Sequence, residues 1–65
     1  MPAYGGYCAN SLRKKQLVNG DPNVFYIHKG KLYFCSSTAG AEEFKKDIDK
    51  HLIEDDDNWR SLFGS

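Results

Sequence analysis

The chain has 65 residues, 40% of them hydrophobic, 14% aromatic and 28% charged, with nine residues of each sign and no net charge. That length allows one domain, and the balanced charge argues against a nucleic-acid binder, which leaves a basic footprint. Two cysteines are too few for a disulfide-dense secreted scaffold, no apolar run approaches the ~18 residues of a membrane span, and no charged start followed by an apolar run marks a signal peptide, so the chain reads as soluble and cytoplasmic by default.

Tyr4-Gly5-Gly6-Tyr7-Cys8 opens the chain with two glycines that permit a tight turn, and residues 9–17 read as a short helix. Arg13, Lys14 and Lys15 make a basic run there. Asn19-Gly20-Asp21-Pro22-Asn23 is dense turn chemistry, and Pro22, lacking an N–H, predicts that a strand begins after it. Val24–His28 and Lys31–Cys35 are rich in β-branched and aromatic residues, and Lys29-Gly30 between them is a two-residue hairpin turn. The period of two places Phe25 opposite Phe34 and Ile27 opposite Leu32 on a wholly apolar face, which is expected to point to the core. The other face pairs Val24 with Cys35, Tyr26 with Tyr33 and His28 with Lys31. It is amphipathic, and Tyr26, His28, Lys31 and Tyr33 are its candidate interaction residues.

Ser36, Ser37 and Thr38 offer helix N-caps, and Phe44, Ile48 and Leu52 recur at helical spacing, predicting a helix over about 38–52. A bend near Leu52–Glu54 and a last helix over about 55–63 follow, with Asp55–Asp57 at its start, where negative charge suits the helix dipole. The acidic run Glu54–Asp57 and the basic run 13–15 read as two solvated surfaces. The fold class is therefore α+β: a hairpin over about 24–35 packed on C-terminal helices, with a short N-terminal turn or helix. The expected core is Phe25, Ile27, Leu32, Phe34, Phe44, Ile48, Leu52 and Trp59, with Leu17 and Tyr7 contributing.

The metal-capable side chains are Cys8, Cys35, His28 and His51. None forms the close pair usual in structural zinc sites. His28 lies roughly 13 Å along the strand from Val24, the expected partner of Cys35, so His28 and Cys35 do not share an ion. Cys8 and Cys35 remain as a zinc or copper pair, with His51 as a third ligand; as a disulfide; or as two buried thiols acting as small apolar residues. No nucleophile motif surrounds them, and the chain is expected not to be an enzyme. A tyrosine face could stack bases, but the neutral charge disfavours nucleic acid.

Gly30-Lys31-Leu32-Tyr33-Phe34-Cys35-Ser36 followed by Phe44 resembles the YHS domain family. Tyr4-Gly5-Gly6-Tyr7-Cys8-Ala9, Gly20-Asp21-Pro22, Lys46-Asp47-Ile48 and Asn58-Trp59 extend the resemblance, in order, to the C-terminal part of longer bacterial YHS proteins. It covers nearly the whole chain and implies a single YHS-like domain over 1–65. It implies little about activity. Some relatives are thought to bind metals through cysteines, but those carry a second cysteine four residues beyond the position of Cys35, where this chain has Ala39. The first functional expectation is a non-enzymatic module that self-associates, most simply as a dimer, because so small a core leaves aromatic rings to cover. The alternative is a metal-binding or metal-sensing module through Cys8 and Cys35.

Overall fold

A computed structural model describes residues 1–64, one residue short of the domain read over 1–65. The elements in order are a 3-10 turn (Ala3–Gly6), α1 (Ala9–Leu12), β1 (Asp21–His28), β2 (Lys31–Cys35), α2 (Thr38–Lys45) and α3 (Ile48–Phe63). The class is α+β, with one antiparallel hairpin packed against helices. No helix is long and apolar enough to cross a membrane among the described residues.

The hairpin turn follows from Lys29-Gly30. Both residues have positive φ, 50° and 78°, the primed geometry that matches the twist of the flanking strands. Phe25 pairs with Phe34, Tyr26 with Tyr33, Ile27 with Leu32 and His28 with Lys31, the register the alternation predicts. Beyond Phe25 the expectation fails: Cys35 pairs with Asp21, not Val24, across an irregularity between Asp21 and Phe25. β1 also starts before Pro22, not after it. The Asp21 carboxylate accepts the Asn23 N–H at 2.9 Å, a local turn bond that lets the strand carry a proline on its unpaired side.

The two faces of the hairpin are reversed from the expected assignment. Tyr33 and Cys35 are buried, and Phe25 and Ile27 are 55% and 59% exposed. Phe34 and Leu32 are only half-buried. The tyrosine face wins because rings from two other segments pack on it and a third backs one of them. Tyr4 lies 5.9 Å from Tyr33 and Phe44 lies 5.8 Å from it, centroid to centroid, and Trp59 packs on Tyr4 at 5.8 Å. Tyrosine combines a large apolar ring with a polar tip, so it can face a core and still satisfy its hydroxyl. Tyr4 does this by donating to Asp56 Oδ1 at 2.7 Å. Its φ of 57° is uncommon for a bulky residue, and the ring contacts and this bond hold it there.

The core is Cys8, Ala9, Leu12, Tyr33, Cys35, Ala41 and Phe44. Of the residues expected inside, Phe44 is fully buried, Ile48 and Leu52 pack on the cluster's edge, and Leu17 is exposed. The N-terminal helix is shorter than 9–17: it begins at Cys8, which caps it, and ends at Leu12. The amide of Asn58 on α3 donates to the carbonyls of Leu12 and Arg13 at 2.7 and 3.1 Å, closing α1's C-terminal end.

Ser37 caps α2 by accepting the Gly40 N–H at 3.0 Å. The helical break lies at Lys46–Asp47, not near Leu52–Glu54, and Ile48–Phe63 is one continuous helix. Its position is fixed by His51, whose Nδ1–H donates to the Phe44 carbonyl at 2.8 Å, a group the end of α2 leaves without a helical partner. Asp55–Asp57 therefore lie mid-helix. The charge runs are not two separate solvated surfaces either. Arg13 bonds Glu54 at 3.3 Å and Glu43 at 3.2 Å, and Asp55 is fully buried.

Gly20 is held where no side chain fits. Its N–H donates to the Gly6 carbonyl, and a Cβ there would sit 2.5 Å from Phe34 Cβ and 2.6 Å from Gly6 O. Gly20→Ala is expected to cost about 1–3 kcal/mol of unfolding free energy in urea, since backbone must move to admit the methyl.

Candidate functional site

Two chain segments bring the cysteines together. Cys8 makes a parallel bridge to Phe34, and its N–H donates to the Val18 carbonyl at 2.7 Å. This lays the N-terminal segment along the side of β2 away from β1. Cys8 thus sits beside the end of β2, and Cys8 and Cys35 enter the same buried cluster. Both are free thiols and both are fully buried.

Their surroundings treat them unequally. Cys8 Sγ accepts the Ser11 N–H at 3.4 Å, and the Cys35 S–H is placed to donate to it. Hydrogen bonds to the charged form favour that form, so the Cys35 contact first, and Ser11 and Ser36 after it, pull the Cys8 thiol down against the opposing effect of burial. The same contact pushes Cys35 up, because ionising it would break the bond it donates, and burial pushes it further. The pair holds one negative charge more readily than two.

Asp55, on α3, is also fully buried, and neither carboxylate oxygen has a hydrogen-bond partner. Burial raises its carboxyl to about 8; Arg13 pulls it down, while Asp56, Glu54 and Cys8 push it up. Its charge in turn raises Cys35. Sequence reading missed Asp55, treating it as part of a helix-start cluster. The signal was present in the spacing: Ile48, His51, Leu52, Asp55 and Trp59 form one helical stripe.

His51, the expected third metal ligand, is buried against Phe44 with its Nδ1 engaged by the Phe44 carbonyl. Among the described residues no three His, Cys, Asp or Glu side chains gather as a metal group. The expected interaction face is divided. Tyr33 is 4% exposed and belongs to the core, and Tyr26 lies under the Lys45 ammonium, 5.4 Å from its ring centroid. His28 and Lys31 stand on the wall of a cleft of about 260 Å³ that also includes Tyr4, Asp49 and Asp56. His28 Nε2 lies 3.3 Å from Asp49 Oδ1 there. The His28–Cys35 separation argued from the strand holds, since His28 sits at the turn end of the hairpin and Cys35 at the other.

No family model, curated protein or solved structure matches the chain.

Proposed function

We propose that this chain is a non-enzymatic interaction module of YHS-like type, and that its partner is a second copy of itself, docked on β1. The observation that carries this reading is the exposure of Phe25 and Ile27, side by side on one face of a strand whose outer edge pairs with no other strand among the described residues. An unpaired edge with apolar side chains is a template for strand addition. The edge is also self-complementary. In a two-fold antiparallel pairing centred on Tyr26, Phe25 stands opposite Ile27 of the second copy, and the hairpins join into a four-stranded sheet. Leu32, half-buried on the same face, extends the apolar surface.

Sedimentation velocity over a concentration series tests this. The wild type is expected to shift from monomer to dimer in the micromolar range, and the double variant Phe25→Lys, Ile27→Lys to stay monomeric. Both positions are exposed, so the variant's monomer fold, read by circular dichroism, is expected to be retained. A wild type that stays monomeric throughout overturns the reading.

A zinc or copper module through Cys8 and Cys35 is the second reading, supported by their adjacency in the core. It needs the thiolates to recruit ligands beyond those now beside them. Metal analysis of wild type and a Cys8→Ser, Cys35→Ser variant, purified without chelator, separates it from the first: stoichiometric metal lost in the variant supports it, and equal metal contents dismiss it.

A further inference from the structure

We propose that Cys8 and Cys35 form a thiol-oxidation site that a small hydroperoxide converts to an intramolecular disulfide, Cys8 being the sulfur oxidised first and Cys35 the one that resolves it. The argument rests on position. The bridge pairs Cys8 with Phe34, so Cys8 and Cys35 lie one residue out of register on adjacent segments and enter the same buried cluster. Neighbouring strands run roughly 4.8 Å apart and residues along one roughly 3.3 Å, so the offset pair stands about 6 Å apart at Cα, within the range of disulfides, about 4.4–6.8 Å. Closing the bond therefore needs side-chain rotation and little backbone movement.

The roles follow from the hydrogen bonds. Cys8 Sγ accepts the Ser11 N–H at 3.4 Å, and a hydrogen bond to a sulfur favours its thiolate, so Cys8 is the sulfur that meets the peroxide and Cys35 the one that follows.

The chemistry balances as follows. The Cys8 thiolate attacks one oxygen of hydrogen peroxide, the O–O bond breaks, and the leaving hydroxide takes a proton from solvent to become water. Cys8 is now a sulfenic acid. Cys35 attacks the Cys8 sulfur as it gives up its proton, the S–O bond breaks, and the departing hydroxide takes that proton as a second water. One peroxide is reduced and two sulfurs are each oxidised by one electron. Both sulfurs are fully buried, so the oxidant must be small and must enter on local opening.

The test uses the full chain, reduced, desalted and exposed to hydrogen peroxide under native conditions, then alkylated in denaturant. The expected product is monomeric, lighter by two hydrogens, carries no alkyl group, yields one linked peptide joining Cys8 to Cys35, and reverts with dithiothreitol. Cys35→Ser is expected to trap Cys8 as a sulfenic acid that a cyclic dione labels. Cys8→Ser is expected to leave Cys35 oxidising about tenfold more slowly. Two thiols still alkylated after exposure, a bridge between chains, or equal reactivity of the two single variants would each overturn the proposal.

Discussion

Phe44→Ala is expected to unfold the chain at 25 °C. Phe44 heads the fully buried side chains by volume, and its ring touches the hairpin through Tyr33 and α3 through His51. Truncating a buried phenylalanine costs about 3–5 kcal/mol, the lost transfer free energy plus the cavity left behind. A core of this size supplies roughly the same amount in total. The residue also sits at the α2–α3 junction, where its carbonyl receives the His51 N–H. Phe44→Leu keeps most of the volume and is expected to remain folded, losing about 1–2 kcal/mol. Urea titration followed by far-ultraviolet circular dichroism reads both. An alanine variant with an undisturbed transition would place the core elsewhere.

Asp55→Asn is expected to stabilise the chain more and more as pH rises. The wild-type carboxyl ordinarily titrates at 3.8 and is raised to about 8 by burial. Between those values the unfolded chain has released this proton while the folded chain keeps it. Stability from this group therefore falls by about 1.4 kcal/mol for each pH unit from 4 upward, and the loss ends near pH 8. Cys8 acts in the opposite sense. Its thiol is lowered when folded, so the folded chain releases that proton first and stability rises with pH up to the ordinary thiol value of 9.0. The two slopes offset each other in the wild type. Asparagine removes only the first, so the variant's advantage over wild type should be near zero at about pH 4. At pH 8 it should reach on the order of 5 kcal/mol. Urea melts of both proteins across that range measure the difference. A pH-independent difference would mean that the Asp55 carboxyl ionises as freely in the fold as outside it.

The hairpin was legible because its evidence is local: two runs of strand formers and a Lys29-Gly30 turn fix the pairing of residues 25–28 with 31–34. The choice of face was not, because both faces carry large apolar side chains. Period-two reasoning favours Phe25 and Ile27 over tyrosines, and it cannot see that Tyr4 and Phe44 bring their rings against Tyr33, with Trp59 packed behind Tyr4. The helical stripe from Phe44 to Trp59 was legible, but the break within it depends on the His51–Phe44 bond, which no spacing announces. At the candidate site both cysteines were identified from the sequence. Their adjacency depends on the bridge from Cys8 to Phe34, a long-range pairing made by a segment that lies outside either strand. Asp55 was hidden by its acidic neighbours, whose side chains face outward from the same turn.

The reversed hairpin face is also what gives the chain its candidate docking surface. Tyr33 and Cys35 face the helices, so Phe25 and Ile27 are left exposed on an unpaired edge. Isotope-filtered nuclear Overhauser spectroscopy on a mixture of carbon-13-labelled and unlabelled chains tests this directly. Cross-peaks between the Phe25 ring of one chain and the Ile27 methyls of another are the result expected. Contacts between chains that leave out both residues, or none at concentrations well above micromolar, would contradict it.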